Sequence, residues 1–211
     1  MRVLVFGASI TQGFWDTQGG WVERLRNYYD KRQLQDLFKN KEPTIFNQGI
    51  SGDKTTNIIS RMANEIEARK WHGEELALVI EIGTNDSYEK NGQFFSSPEE
   101  YKERLRQITA IAKKHSNRVM FVGLPSCDEK QTTPAGWDNI YWRNDRLKLF
   151  NDCVADICKH EGLPFVPVFE EFEQRSANGE KLFEDGLHPN DAGHQLIFEL
   201  VRPELDKLLR V

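Results

Sequence analysis

An α/β fold built on a parallel sheet is what this 211-residue chain predicts, and three observations carry the prediction. Apolar runs of four to seven residues alternate with longer helical patterns from one end to the other, as strands linked by crossover helices do. Each helical stretch collects its apolar residues at three- and four-residue spacing, so each has one face to lay on a sheet. The length suits one domain with a well-buried core, and no repeat, low-complexity tract or linker divides it, so residues 1–211 read as a single domain.

The first strand is expected over 2–6, where Val3, Leu4, Val5 and Phe6 form a buried run. Behind Gly19 and Gly20, which mark a helix start, Trp21, Leu25, Tyr28 and Tyr29 recur at helical spacing. A second strand over 44–48 leads to a helix from about Lys54 to Arg69 carrying Ile58, Ile59, Met62 and Ile66, and a third strand follows over 76–82. Ser97-Pro98-Glu99-Glu100 supplies a serine cap, a proline at the first helical position and an acidic first turn, after which Tyr101, Leu105, Ile108 and Ile111 line one face. The fourth strand is expected over 118–123 and the fifth over 164–168, separated by a helix with Leu147, Phe150, Val154 and Ile157 that ends near Gly162. Leu196, Ile197, Leu200 and Val201 belong to the last helix, begun at Pro189 or soon after. Five parallel strands with right-handed crossovers give a flavodoxin-like three-layer α/β/α sandwich.

Composition narrows the function. A net charge of −5 leaves no basic footprint for nucleic acid, and no apolar run approaches the ~20 residues that span a bilayer. Met1-Arg2 runs straight into the first strand with no signal-peptide core, so a cytoplasmic protein without membrane insertion is expected. Cys127, Cys153 and Cys158 form no paired framework and read as reduced thiols in the core. His72, His115 and His160 fall where helices end and read as solvated helix-end residues, not metal ligands.

Four short blocks carry the chemistry. Asp185-Gly186-Leu187-His188-Pro189 sets a carboxylate three residues ahead of a histidine, the spacing that lets it accept the Nδ1 proton and stabilise the imidazolium. Gly7-Ala8-Ser9 places a serine at the carboxyl end of the first strand, where open α/β sheets gather functional groups. After the second and third strands, Gly49-Ile50-Ser51-Gly52 offers a bare N–H on a turn, and Gly83-Thr84-Asn85-Asp86 offers a side-chain amide. Taken singly, each has an ordinary structural explanation as a helix cap, a turn glycine or a surface loop. In this order, each after a strand, they form a consistent set.

At these residues the chain resembles the SGNH hydrolase superfamily of GDSL-type esterases and lipases, from Gly7 to Pro189. The resemblance implies Ser9 as nucleophile, Asp185 and His188 as its partners, and the Ser9 N–H, Gly52 N–H and Asn85 amide as oxyanion donors. It also implies a small-molecule carboxylic ester as substrate, with no metal or organic cofactor. The family's first block usually reads Gly-Asp-Ser, whereas this chain has Ala8; the missing carboxylate bears on loop geometry and rate, not on reaction type.

Two aromatic connections face the same edge as Ser9. Residues 125–143 hold Trp137, Tyr141 and Trp142, and residues 87–96 hold Tyr88, Phe94 and Phe95. Tyr88, Trp137 and Trp142 are expected to contact substrate, with a satellite core under the loop as the competing role. Rings there would leave a small pocket for short acyl groups. Thioesters and acetylated sugars suit the same machinery. The rivals from other classes are a non-catalytic ligand-binding module on this scaffold and an anion-binding nucleotide protein, the latter lacking any Gly-x-Gly-x-x-Gly or Walker pattern. A homo-oligomer is compatible with everything above.

Overall fold

In the computed structural model, which describes residues 1–210, the first apolar run forms strand β1 (Arg2–Gly7) inside the main sheet. Its side chains divide between two cores, Val3 and Val5 facing one and Leu4 and Phe6 the other, because successive strand residues point to opposite faces. The chain continues through helix α1 (Ser9–Gln12) and helix α2 (Gly20–Gln35) to strand β2 (Thr44–Gly49), then through α3 (Thr55–Arg69) to β3 (Leu76–Glu81). A 3-10 turn (Thr84–Asp86), strands β4 (Glu89–Lys90) and β5 (Gln93–Phe94), and helix α4 (Pro98–His115) lead to β6 (Arg118–Val122). Helix α5 (Glu129–Thr132), strand β7 (Ile140–Tyr141), α6 (Asn144–Glu161), β8 (Phe165–Val166), α7 (Phe169–Ala177) and α8 (Asp191–Leu209) complete the chain.

The main sheet runs β2-β1-β3-β6-β8 with every pair parallel. This is the expected α/β sandwich. Residues of α2, α7 and α8 pack with Val3 and Val5, while those of α3, α4 and α6 pack with Leu4 and Phe6. Because α2 and α3 cover opposite faces, the strand order reverses at β1 and a crevice opens between the carboxyl ends of β1 and β3. Ile58, Met62 and Ile66 of α3 are wholly buried, each burial stabilising by roughly 1.5–3 kcal/mol. The Ser97 hydroxyl accepts from the Glu100 N–H and the Glu100 carboxylate from the Ser97 N–H, so the capping box read from sequence starts α4.

Two features differ from the sequence reading, and one is sharpened. The fifth strand is two residues long, since Pro164 and Pro167 flank Phe165–Val166 and neither has an N–H for the ladder. The last helix starts soon after Pro189, as expected, at Asp191, where the Asn190 side chain accepts from the Ala192 and Gly193 N–H groups and caps it. The two aromatic connections are not irregular, because β4 pairs antiparallel with both β5 and β7 and ties residues 87–96 to residues 140–141. No helix among the described residues is long and apolar enough to cross a membrane.

Glu81 ends β3 inside the protein, where its one hydrogen-bond partner is the Thr11 hydroxyl at 2.7 Å. Burial raises its carboxyl from 4.5 to about 7, against the smaller lowering effect of the Thr11 bond. Between those values the folded state keeps a proton that the unfolded chain has released, so this group's contribution to stability falls as pH rises through that window. Glu81→Gln, which cannot ionise, should therefore flatten the pH dependence. Denaturant unfolding at pH 5 and pH 8 is expected to show a loss in the unsubstituted protein that exceeds the variant's by on the order of 1–3 kcal/mol. Equal losses would mean that Glu81 is ionised in the folded protein at neutral pH.

Candidate active site

Helix α1 begins at Ser9, directly off the end of β1, so the Ser9 side chain stands at the mouth of the crevice. Its Oγ lies 2.9 Å from His188 Nε2, and His188 Nδ1 lies 2.7 Å from Asp185 Oδ2. An ionised carboxylate can only accept, so Nδ1 carries the ring proton and the Nε2 lone pair receives the Ser9 hydroxyl hydrogen. The second carboxylate oxygen, Oδ1, accepts the Leu187 and His188 N–H groups at 3.0 and 2.8 Å. Burial works to raise the Asp185 carboxyl, but these bonds and one from Trp15 outweigh it and hold the group at about 2. Asp185 is therefore ionised throughout the pH range in which proteins work. Ala8, where the family usually has aspartate, is buried beside Leu4 and Phe6 and makes no side-chain cap, yet the Ser9 contact forms.

The donors expected for an oxyanion are held by a separate set of bonds. Ile50 N–H donates to the Gly7 carbonyl at 3.1 Å and Ser51 N–H to Gln12 Oε1 at 2.8 Å, which pins the loop after β2 against α1. Gly52 then sits at φ +83, a left-handed conformation suited to glycine. The Asn85 amide spends one hydrogen on the Asp53 carbonyl at 3.0 Å, which brings it beside Gly52. Among the described residues, the Ser9 N–H, the Gly52 N–H and the second Asn85 hydrogen have no protein partner. Arg61 ties the arrangement together, donating to Asp53 Oδ2 at 2.8 Å and the Gln48 carbonyl at 2.6 Å. Asp86 takes the Thr55 hydroxyl and N–H at the start of α3; burial lifts its carboxyl to about 6, the Thr55 bonds lowering it from higher still.

A strap that the sequence reading missed runs through residues 14–17. The Phe14 ring lies 5.5 Å from the His188 ring, Trp15 Nε1 donates to Asp185 Oδ2 at 2.7 Å, and Thr17 donates from N and Oγ1 to Asp191 at 2.8 and 2.6 Å. Asp16 is bridged by Arg24, with nitrogen–oxygen distances of 2.8 Å. His194, also unremarked in the sequence, is fully buried; its Nδ1 accepts the Trp21 N–H and its Nε2 donates to the Phe14 carbonyl at 3.0 Å. Trp15 adopts φ +65, a conformation that costs a bulky residue on the order of 1–3 kcal/mol. A tryptophan at positive φ has no signature in sequence.

The aromatic residues separate into three groups. Trp137 is half exposed and packs on the His188 ring at 6.0 Å. Trp142 lies 6.0 Å behind it, 4% exposed, in a small core with Cys127, Leu147, Phe169 and Leu187, its indole N–H donating to the Thr84 carbonyl at 2.9 Å. Tyr88 packs on Trp142 at 6.0 Å and on Phe95 at 5.6 Å. Phe94 and Tyr141, by contrast, face a separate concavity of about 260 Å³ with Arg143, Arg146 and Leu149. A concavity of about 830 Å³ at the opposite end of the strands, near Leu76, Arg118 and Pro164, contains none of the site residues, so chemistry and not size locates the site.

Known proteins resemble this chain over nearly its whole length. The sequence is 24% identical over 217 residues to the isoamyl acetate-hydrolyzing esterase of Saccharomyces cerevisiae, covering 100% of this chain and 85% of that one. It is likewise 24% identical to an arylesterase of Vibrio mimicus, covering 99% and 90%. Among solved structures, a lipase/acylhydrolase from Enterococcus faecalis superposes with a TM-score of 0.75 at 20% identity, covering 98% of this chain and 95% of that one. An acetylxylan esterase from Geobacillus stearothermophilus superposes at 0.73 and 19% identity, covering 97% and 93%. These likenesses agree in fold with the parallel sheet, and the family profile of the GDSL-like lipase/acylhydrolases matches residues 5–196, nearly all of it: the chain belongs to that family.

Proposed function

We propose that this carboxylic ester hydrolase cleaves small acyl esters through an acyl-enzyme on Ser9. The continuous relay from Ser9 Oγ to His188 Nε2 and from His188 Nδ1 to Asp185, with three unpartnered donors nearby, supports that reading best. His188 takes the hydroxyl proton as Ser9 Oγ attacks the acyl carbonyl carbon. The Ser9 and Gly52 N–H groups and the Asn85 amide then hold the oxyanion. The protonated His188 returns its proton to the leaving alkoxide. A water, deprotonated by the same histidine, attacks the acyl carbon, and collapse of the second tetrahedral intermediate frees the acid and Ser9.

We assign Trp137 and Phe14 to the wall beside His188, and Trp142 to a bracing role behind Trp137, since its ring is nearly all buried and its N–H is spent on Thr84. Tyr88 remains the candidate substrate contact on the Asn85 side. Bulky rings close to the nucleophile favour short acyl groups, because each further methylene forgoes roughly 0.8 kcal/mol if it finds no place to be buried. The relatives fit this reading, since the yeast protein is described as hydrolysing isoamyl acetate. The three cysteines are free and buried, which suits a reducing compartment such as the cytoplasm.

Ser9→Ala should abolish both ester hydrolysis and labelling by a fluorophosphonate, while circular dichroism stays unchanged. In the unsubstituted protein, kcat/KM across a 4-nitrophenyl acyl series should peak between about two and six carbons. Retained turnover in the folded Ser9 variant would remove the nucleophile assignment, and a maximum at ten carbons or more would remove the small pocket.

Asn85→Ala is expected to lower kcat by roughly 10² to 10³ with little change in KM, the usual effect of losing one oxyanion donor. An effect confined to KM would make Asn85 a ground-state binding residue instead. Trp15 is assigned as a positioning residue for Asp185. Trp15→Phe keeps an aromatic side chain and deletes the N–H, so Asp185 loses one of its donors, becomes more basic and holds the protonated imidazole more tightly. The acidic limb of the kcat/KM profile should move to higher pH. A fall in rate with an unmoved profile would limit Trp15 to packing.

A further inference from the structure

The relay from Ser9 to Asp185 leaves one cation beside the cleft without a task. Lys54 follows Asp53, whose carbonyl holds the Asn85 amide, and stands two residues after Gly52, so its backbone is within about 8 Å of both oxyanion donors. Its Nζ lies 4.8 Å from the centre of the Phe95 ring and 5.5 Å from that of Tyr88. No carboxylate among the described residues comes within ion-pairing distance of it. The nearby acids have closer partners, Asp53 in Arg61 at 2.8 Å and Asp86 in Thr55 and, at 3.8 Å, Arg104, so the Lys54 charge acts on Asp86 only from beyond ion-pairing distance.

Unpaired lysines are common on protein surfaces, but this one differs from the rest of the chain's. Lys31, Lys41, Lys114, Lys130, Lys159 and Lys181 also lack a carboxylate partner, and all six are exposed. Lys54 is half-buried and held by two rings that continue the row of Trp137 and Trp142 beside His188. Such rings hold a cation in place and shed part of its water while leaving its N–H groups free to donate, which strengthens any charge-assisted bond it makes. Its side of the cleft also defines what it meets. The leaving oxygen must face His188 Nε2, whereas the Tyr88 ring is three ring-to-ring contacts away from His188, through Trp142 and Trp137.

We infer that Lys54 forms an anion-recognising subsite on the acyl side, so that esters whose short acyl chain ends in a carboxylate, half esters of dicarboxylic acids, are favoured over neutral esters of equal length. This rests on the reading of Ser9 as nucleophile. The neutral relatives' substrates do not call for such a cation, and the geometry here supplies one.

The test compares ethyl hydrogen glutarate with ethyl pentanoate at pH 7, by ethanol release, in the unsubstituted protein, Lys54→Met and Lys54→Arg. The ratio of kcat/KM for the charged over the neutral ester should fall roughly ten-fold in Lys54→Met, mostly through KM, and be largely kept in Lys54→Arg. Raising the salt from about 20 mM to about 500 mM should narrow the difference between the unsubstituted protein and Lys54→Met. An equal loss on both esters would overturn the proposal and leave Lys54 as a brace for Tyr88 and Phe95. A second pair, 4-carboxyphenyl butanoate against phenyl butanoate, carries the charge on the alcohol side; a Lys54-dependent preference confined to that pair would overturn the acyl-side assignment. Failure of the Ser9 reading looks different, because Ser9→Ala would then hydrolyse both ethyl esters as the unsubstituted protein does.

Discussion

The Asp185 carboxylate is where the two ends of this chain meet, and the reactive geometry depends on how completely it is bonded. It accepts the Leu187 and His188 N–H groups on one oxygen and the His188 ring and the Trp15 indole on the other. A carboxylate so surrounded is ionised and fixed in direction, and it fixes the imidazole tautomer that Ser9 requires. Ser9 and His188 are 179 positions apart in the chain and 2.9 Å apart in space. Closing so long a loop costs entropy that only a large packed core offsets. The contact between α2 and α8 on one face of the sheet supplies part of that core, and the strap of residues 14–17 converts it into registry at the site.

Charge is managed differently on the two sides of the cleft. Beside His188, carboxylates are lowered by partners: Asp185 is held at about 2, and Asp16, although burial opposes it, is brought to about 2 by Arg24 and backbone donors. Beneath the oxyanion donors, Glu81 and Asp86 are raised by burial instead, to about 7 and about 6. The consequence is chemical. Negative charge is kept beside the histidine, where it stabilises an imidazolium, and is partly withheld at neutral pH beneath the proposed oxyanion donors, chiefly at Glu81. Holding the buried carboxyls costs stability as pH rises through the windows from 3.8 to about 6 and from 4.5 to about 7, a common exchange at functional sites.

The aromatic residues show how secondary structure decides which rings can meet substrate. Pairing of β4 with β5 and β7 turns two connections into one small sheet, and alternation across it sends Phe94 and Tyr141 to one face while Tyr88 and Phe95 pack together on the other. Trp142 then fills the space beneath, and Trp137 is left half exposed over His188. A row of rings thus runs from His188 through Trp137, Trp142 and Tyr88 to Phe95, with Lys54 at its far end.

Much of this was legible in the amino-acid order. Runs such as Val3 to Phe6 and Leu76 to Ile82 carry their burial in composition, and the Ser97 capping box announces its helix, because these are local properties that act over a few residues. The four chemical blocks were legible for the same reason: each sits on a turn at a strand end or ahead of a helix, and their order along the chain names the set. Two-residue strands were not, since a period of two needs more than two residues to be seen, and the prolines bounding β8 shortened a strand whose apolar run looked longer. Nor were Trp15, His194 and the isolation of Lys54, whose properties come from partners up to 180 positions away. Local patterns suffice for the sheet, its covering helices and the residues proposed for acyl transfer. Which nitrogen faces Ser9, which rings line up beside His188 and which cation has no ion pair are properties of the folded chain alone, because they depend on distances that chain closure sets and no local pattern encodes.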